Sequence, residues 1–319
     1  MGEISLTRII KPKNISKVTV LHGGTSEEKE VSNSTAESCI DAIEKMGFDV
    51  EALSVDSTNM QDLAEFIKVK NPDVIFNALH GGIGENGTIQ GLFEVLNIPY
   101  THSGVLSSAI AMDKFISKKI FKTFGLPVIE DQLLNAENEL NGILIKPPFV
   151  IKPNNGGSSV GIRFIRHTEQ IEELDALYRH KDREHLLEKY IPGRELTVAV
   201  LNGRPLTVTD IVTEDWYSYD AKYENGGSKH VIPANIPKDI FELCLSYAVK
   251  AHQSLGCRGV TRSDFRWNEE KGKEGLYILE LNTQPGMTKT SLVPEQAKYV
   301  GLDLPQLCLD LIKDASCNK

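Results

Sequence analysis

Long apolar runs are missing from this 319-residue sequence. No stretch approaches the roughly 20 apolar residues that a membrane-spanning helix needs, and the start, MGEISLTRIIKPKN, lacks the apolar core of a secretion signal. The five cysteines are scattered and show no CxxC spacing, so the sequence does not indicate a zinc site. These absences favour a protein of the reducing cytoplasm that does not bind membranes.

Positive charge is also in short supply. The chain has 35 Lys and Arg against 44 Asp and Glu, a formal net charge of -9, which argues against a general nucleic-acid binder. Hydrophobic residues make up 40% and charged residues 25%, as in ordinary globular proteins. A chain of this length is expected to form two or three domains.

The most informative stretch runs from residue 260 to residue 292. Val260–Trp267 and Leu276–Asn282 are rich in β-branched and aromatic residues, and the polar connector NEEKGKEG between them predicts an antiparallel hairpin. Side chains alternate along a strand, so Arg262 shares a face with Asp264, and Glu280 shares a face with Asn282.

Two carboxylates and an amide oxygen on one patch suit Mg²⁺ carrying a nucleotide, and Arg262 would face charge that builds up during reaction. The sequence does not fix the register that this requires. The alternative is that Asp264, Glu280 and Asn282 are ordinary polar residues on the wet face of a sheet.

Two strand, loop and helix units precede this region. Lys17–Leu21 leads into HGGTSEEKEVSN, where Glu28 either favours the helix dipole or catches a substrate ammonium. After the second strand come His80, a packed histidine or a substrate-facing donor, and the glycines Gly82, Gly84 and Gly87 in GxGxxG spacing. This spacing is that of a dinucleotide-binding fold, but the region IPYTHSGVLSS lacks the acid that such a fold places there. A nicotinamide or flavin oxidoreductase is therefore only the runner-up hypothesis.

A third glycine-rich loop lies between two apolar strands in FVIKPNNGGSSVGIRFI. Backbone N–H groups of the loop at 154–161 can fold over an anion, although the loop lacks the Walker sequence and Lys152 precedes it. The alternative is a plain glycine turn. Glu188 and Glu195 either accept from a nucleotide or are solvated charges. The segment 215–233 is long and aperiodic, which is typical of a functional lid.

These motifs together resemble the D-alanine:D-alanine ligases of the ATP-grasp superfamily. The resemblance rests on HGGIGENGTIQG, SGVLSSAIAMDK, IKPNNGGSSVGI, EKYIPGRELTVAVL, YDAKY, CRGVTRSDF and LELNTQPGMTKTSLVP, in order over residues 18–294. It implies an α/β ATP-grasp fold of three domains: an N-terminal substrate domain 1–101, a central domain 102–187 with the phosphate loop, and a C-terminal catalytic domain 188–319. ATP would lie between the central and C-terminal domains.

The resemblance also implies residue roles. Nucleotide contacts would come from Lys114, Lys152, Ser158, Ser159, Glu188, Lys189, Glu195 and Lys222, and two Mg²⁺ ions, or Mn²⁺, would be held by Asp264, Glu280 and Asn282. Glu28 and His80 would bind the first D-alanine and Ser291 the carboxylate of the second, while Arg262 and the backbone of Gly286 would face the oxyanion. Glu28, Ser158 and Tyr223 would form a hydrogen-bonded trio over the substrate.

The implied activity is phosphorylation of one D-alanine by ATP to an acyl phosphate, followed by attack of a second D-alanine to give the dipeptide used in peptidoglycan precursors. A homodimer is expected. Tyr223, where relatives that prefer D-lactate are expected to carry Phe, favours an amine as second nucleophile. Asn86, Gly156 and His22 depart from the family pattern. Another ATP-grasp carboxylate–amine ligase and a non-catalytic ATP-binding module are the competing hypotheses.

Overall fold

The fold was obtained as a computed structural model that describes residues 11–56, 59–134, 143–157, 161–171, 184–212 and 229–317. It mixes helices and sheets, as the sequence predicts. Three sheets make up the described part of the chain: a parallel one near the N-terminus and two antiparallel ones after it. In these ranges no helix has both the length and the apolar character needed to cross a membrane.

The first sheet is built from consecutive strand and helix units. Its elements in chain order are β1 (Lys17–Gly23), α1 (Lys29–Lys45), β2 (Asp49–Val55), α2 (Met60–Lys70), β3 (Val74–Asn77) and α3 (Thr88–Leu96). The strands pair in the order β2-β1-β3, and all are parallel. The loops after β1 and β3 therefore emerge at the same edge of the sheet, where open α/β sheets bind ligands.

The sequence predicts one helix in the region 103–125, but the structure has two. They are α4 (Val105–Met112) and α5 (Lys114–Thr123). Asp113 has an extended backbone between them, and its carboxylate accepts hydrogen bonds from the backbone N–H of Ile116 at 2.9 Å and the side chain of Asn154 at 3.0 Å. The prediction of one helix was wrong because a capping aspartate restarts the helix one residue before Lys114.

The second sheet covers one side of a cleft. It pairs β4 (Asp131–Leu134), β7 (His185–Lys189), β5 (Phe149–Pro153) and β6 (Arg163–Ile165) in that order, with every pairing antiparallel. Strand β7 extends two residues past the domain boundary expected at 187/188. The division into 1–101, 102–187 and 188–319 stays a prediction.

The third sheet carries the predicted hairpin. It has the order β10 (Lys229–Val231), β9 (Arg204–Val212), β8 (Arg194–Leu201), β11 (Val260–Trp267) and β12 (Leu276–Asn282). Both hairpin strands have the predicted bounds, and the connector forms a 3-10 helix at Glu269–Gly275. The segment expected to be a lid, 215–233, lies outside the described residues except at its end, where β10 pairs with β9.

Three further helices complete the described fold: α6 (Lys238–Ser254), α7 (Leu292–Tyr299) and α8 (Leu304–Asp314). The C-terminal α8 buries Leu307, Leu311 and Ile312 in the same apolar cluster as side chains of α1 and β8. Helix α8 thus joins the first sheet to the third, because burial of this shared apolar surface stabilises both together.

Two glycines in turns of the third sheet differ in how closely neighbouring backbone approaches them. Gly193 precedes β8 with φ +109, and a Cβ there would collide with the carbonyl oxygen of Trp267; Gly203 has φ +75 and open space around it. Gly203→Ala should lower the free energy of unfolding by about 1 kcal/mol through backbone strain alone. Gly193→Ala should lower it by at least about 3 kcal/mol, measured by urea unfolding. Equal losses in the two variants would contradict this packing.

Candidate active site

The hairpin register brings together the four site residues predicted on β11 and β12. Arg262 lies directly opposite Asn282, and Asp264 lies directly opposite Glu280. Side chains opposite each other in an antiparallel pair share a face. The patch that the sequence could only suggest therefore exists.

Asp264 is the most densely bonded member of this patch. Its Oδ1 accepts from the Thr197 hydroxyl at 2.7 Å and from Nε of Arg262 at 2.8 Å, and its Oδ2 accepts from Nη2 of Arg262 at 2.7 Å and from Nδ2 of Asn282 at 3.1 Å. Asp264 is 6% exposed. A buried carboxylate needs such compensation, and Arg262 supplies it in the bidentate geometry that guanidinium favours.

Lys114 connects the hairpin to the glycine-rich loop. The capping aspartate before it places Lys114 at the first position of α5, and its Nζ donates to the carbonyl of Gly156 at 2.5 Å and lies 3.5 Å from Oε2 of Glu280. Burial lowers the pKa of Lys114, and the Glu280 carboxylate opposes that shift. A buried ammonium thus lies between the loop and a hairpin carboxylate, where a phosphate would meet it.

Glu188 is held between two lysines. Its Oε2 lies 2.6 Å from Nζ of Lys152, and its Oε1 accepts from Nζ of Lys118 at 2.6 Å. Burial opposes ionisation of Glu188, but the two ammonium groups outweigh it and lower its pKa to about 2. Lys118, which also pairs with Asp131 at 2.9 Å, was missed by sequence analysis. Its spacing four residues after Lys114 on one helix was the available signal.

The other two nucleotide candidates of this region lie at the edge of the cleft. Lys189 pairs with Glu130 at 3.8 Å, and both side chains are exposed. Glu195 faces Arg266 across the β8–β11 pair, with Oε2 at 3.4 Å from Nη1.

These residues line one cleft of about 820 Å³, open to solvent, between the second and third sheets. One part is apolar, with Ile129, Val150, Ile191 and Leu279, and the rest is ionic. The ionic lining consists of Lys114, Lys152, Glu188, Lys189, Glu195, Asp264, Arg266 and Glu280. An apolar slot beside buried ammonium groups can hold a planar ring at one end and a polyanion at the other.

A second cavity of about 720 Å³ adjoins the cleft and shares Gly157 and Glu280 with it. Glu28 enters this cavity from the start of α1. A Cβ added to Gly157 or to Gly81 would lie 2.5 Å or 2.6 Å from Oε2 of Glu28, so a larger residue at either position would displace the carboxylate from its present place. Glu28 thus touches the loop after β3 and the phosphate loop at once.

His80 lines the second cavity but is bonded on both sides of its ring. Nδ1 lies 3.0 Å from the carbonyl oxygen of Gln284, and Nε2 lies 2.9 Å from the Thr35 hydroxyl. A carbonyl accepts only, so Nδ1 carries the proton in this arrangement. Glu85, which sequence analysis missed, lies 3.6 Å from Nδ1, and burial raises the pKa of its carboxyl.

Gly286 and Ser291 close the far side of the second cavity. A Cβ on Gly286 would lie 2.9 Å from Oγ of Ser291. Oγ of Ser291 accepts from the backbone N–H of Thr288 at 3.0 Å, and Ser291 is the residue immediately before α7. Ser158, Ser159, Lys222 and Tyr223 lie outside the described residues, so their predicted roles stay predictions.

The departures from the family pattern have local roles in the fold. Oδ1 of Asn86 accepts from the backbone N–H of Thr88 at 3.0 Å, a bond that an aspartate could also make. Gly156 offers its carbonyl to Lys114, and Nδ1 of His22 lies 2.9 Å from Oδ1 of Asn33. None of these contacts disturbs the patch on the hairpin.

Comparison with known proteins identifies relatives along the whole chain. Residues 55–103 match the family model of the D-ala D-ala ligase N-terminus, and residues 119–313 match that of the C-terminus. A D-alanine--D-alanine ligase of a Ruegeria species is 52% identical over 96% of this chain and 98% of that protein, and one of Cereibacter sphaeroides is 49% identical over the same shares.

Solved structures agree with the sequence relatives. The crystal structure of D-alanine--D-alanine ligase from Bacillus anthracis complexed with ATP superimposes with a TM-score of 0.79 and 29% identity, covering 94% of this chain and 97% of that one. A second structure of that ligase gives a TM-score of 0.80 at 32% identity with the same coverage. The expected ATP-grasp fold is thereby confirmed.

Glu188→Gln tests the buried ion cluster. Removing the carboxylate leaves Lys118 and Lys152 buried without their shared partner, so at pH 7 the variant should unfold with about 3 kcal/mol less free energy than wild type. The folded pKa of Glu188 lies below its ordinary 4.5, so its contribution is present above pH 4.5 and is lost as the pH falls toward 2. In urea unfolding, the difference in free energy of unfolding between wild type and variant should be smaller at about pH 3 than at pH 7.

Glu242→Gln is the matched control, because Glu242 is an exposed carboxylate 3.7 Å from Lys238. It should change stability by less than about 0.5 kcal/mol. A Glu188→Gln variant as stable as this control would show that the ion cluster does not stabilise the fold.

Proposed function

The chain belongs to the D-alanine--D-alanine ligase family, and from this premise we infer how its own residues bind the substrates and join them. The protein is an ATP-dependent ligase that forms D-alanyl-D-alanine from two D-alanine molecules, with release of ADP and phosphate, for peptidoglycan precursor synthesis. The observation that best supports a direct reaction between nucleotide and amino acid is that the two cavities meet at Gly157 and Glu280.

ATP binds in the larger cleft. Lys114 and Lys152 contact its phosphates, since both are buried ammonium groups on the ionic part of the lining. Glu188, Lys189 and Glu195 contact the nucleoside end. Ser158, Ser159 and Lys222 are expected to add phosphate contacts from the loop at 154–161 and the segment at 215–233.

The hairpin patch fits Mg²⁺. Asp264 and Glu280 present carboxylates from opposite positions, and Asn282 adds an amide oxygen two residues along β12. Within the described ranges, no three His, Cys, Asp or Glu side chains come together as a metal site, so phosphate oxygens of ATP complete the proposed ligand set. Two bound Mg²⁺ ions, or Mn²⁺ in their place, would neutralise charge on the transferring phosphate.

The first D-alanine occupies the second cavity with its ammonium beside Glu28 and near His80. Because His80 bonds to Thr35 and to the Gln284 carbonyl, we infer that it shapes this subsite through one fixed tautomer. A carboxylate oxygen of D-alanine attacks the γ-phosphorus of ATP, and the bond to ADP breaks. The product is an acyl phosphate, whose phosphate is a far better leaving group than the original oxide.

The second D-alanine places its carboxylate near Ser291, and its amine attacks the acyl carbon. Arg262 and the backbone N–H of Gly286 stabilise the oxyanion that forms by donating to it. The tetrahedral adduct collapses to dipeptide and phosphate. Water must stay out meanwhile, and the Glu28, Ser158 and Tyr223 trio is proposed to close the site over the intermediate.

Two broader properties belong to the proposal. We expect a homodimer, as the resemblance to the family implies. We place the enzyme in the cytoplasm, where ATP is available and where the five cysteines, which are free thiols in this structure, stay reduced.

Asp264→Asn and Glu280→Gln test the metal assignment. Wild-type protein with Mg-ATP should release ADP rapidly only when D-alanine is added, and D-alanyl-D-alanine should appear with it. Each variant should lower this turnover at least about 100-fold, since each removes a charged ligand that acts on the transferring phosphate. ADP release and dipeptide formation are both measured.

Glu274→Gln, an exposed acid in the connector of the same hairpin, serves as control and should keep full activity. Near-normal turnover in Asp264→Asn would remove the metal assignment. Indifference of the wild type to D-alanine, with a response to another amino acid, would point to a different carboxylate–amine ligase.

A further inference from the structure

His230 and Glu295 form a carboxylate–imidazole pair that the reaction described so far does not use. Nδ1 of His230 lies 2.6 Å from Oε2 of Glu295. A carboxylate accepts only, so Nδ1 donates, and the bond fixes the orientation of the ring. The two side chains are 16% and 29% exposed, so the pair is partly shielded from water.

The pair joins two elements that border the second cavity, which is proposed to hold D-alanine and is called the amino-acid cavity below. His230 is the central residue of the edge strand β10 and lies opposite Ile211 of β9. Glu295 lies in the first turn of α7, and its backbone N–H donates to the carbonyl of Ser291 at 3.2 Å. The His230 ring is therefore anchored one helical turn from the residue assigned to the second carboxylate.

His230 also lines the amino-acid cavity itself, together with Glu28, Arg262, Gly286 and Ser291. The approach of β10 to α7 thus places the imidazole at the cavity wall rather than behind it. A side chain at the wall can meet a substrate group directly.

The acidic lining of this cavity favours a positively charged side chain at its wall. Three carboxylates line it, those of Glu28, Glu85 and Glu280. The second amino acid brings a further carboxylate, and like charges within one site repel strongly in a partly buried environment. Binding the acceptor carboxylate therefore requires positive charge near Ser291.

Among the described lining residues, three side chains can carry positive charge: His80, Arg262 and His230. Arg262 is bidentate to Asp264, and both nitrogens of His80 are bonded to protein groups, with the cavity acid Glu85 a further 3.6 Å from Nδ1. His230 is the one whose partner, Glu295, belongs to α7 itself. The helix N-terminus at Ser291 adds favourable polarity for an anion, but supplies no full charge.

We propose that His230, oriented by Glu295, is a specificity-determining residue that recognises the carboxylate of the second D-alanine. This inference rests on the proposed function, since it assigns a contact within the second-substrate subsite. It predicts that His230 selects an acceptor that carries a carboxylate over an amine that lacks one.

Competition between D-alanine and D-alaninamide tests this selection. D-alaninamide has no carboxylate to phosphorylate, so it can enter only as the acceptor, and both acceptors attack the same acyl phosphate. The ratio of D-alanyl-D-alaninamide to D-alanyl-D-alanine, measured by mass spectrometry with both amines present, reports the second subsite alone. It is independent of how much of a variant is correctly folded.

His230→Gln should raise this ratio about tenfold, because the amide side chain keeps hydrogen bonding but loses the imidazole ring that Glu295 orients toward the acceptor carboxylate. Glu295→Gln should raise it in the same direction by a smaller factor, because the ring loses its charged anchor. Lys229→Gln is the matched control: it removes a positive charge from the neighbouring, exposed position of the same strand and should leave the ratio unchanged.

If the product ratio of His230→Gln equals that of wild type, the proposal is overturned, whatever the loss of total activity. A purely structural link between β10 and α7 would slow the formation of both products alike and leave their ratio unchanged. An absence of amide product from every variant overturns it as well. Failure of the wild type to form any dipeptide contradicts the proposed function instead.

Discussion

The site depends on two carboxylates that the hairpin forces to face each other. Asp264 and Glu280 occupy opposed positions on β11 and β12, and their repulsion in a buried cleft must be offset by nearby donors. Arg262 and Asn282 bond to Asp264, and Lys114 approaches Glu280 from the start of helix α5. A cation that binds Asp264 competes with the Arg262 guanidinium. In the proposed mechanism, metal binding is therefore linked to the placement of Arg262, the arginine proposed to face the reacting oxygen.

This arrangement explains why the proposed reaction takes place where the second and third sheets and the start of α1 meet. Glu280 and Gly157 border both the nucleotide cleft and the amino-acid cavity, while Glu28 reaches Gly157 from the first sheet. The carboxylate to be phosphorylated and the phosphate to be transferred thus approach each other across one wall. Buried ionic clusters hold each side of the cleft, with Glu188 between Lys118 and Lys152 on the second sheet. Separating buried ion-pair partners is costly, so these clusters also fix the positions of the lysines that we propose contact ATP.

The sequence predicted local features well and long-range pairings poorly. The bounds of β11 and β12 were correct because β-branched strands and a polar, glycine-containing connector are encoded within one short segment. The break at Asp113 was missed because it needs Asn154, about forty residues away, as a second partner. Glu188 was interpreted as a nucleotide contact or a solvated charge and not as part of a buried ion cluster, since its lysine partner 70 residues earlier on α5 leaves no local signal. The same holds for His230 and Glu295, which are brought together only by the packing of α7 against β9, the strand that pairs with β10.

The central claim is that Asp264, Glu280 and Asn282 hold divalent metal against the phosphates of a nucleotide. Anomalous scattering from Mn²⁺ in crystals grown with ADP tests it most directly, because the metal is located without reference to activity. The account predicts anomalous density within coordination distance of oxygens from all three side chains and of the nucleotide phosphates. Density bound elsewhere in the cleft, with Arg262 still paired to Asp264, would contradict it.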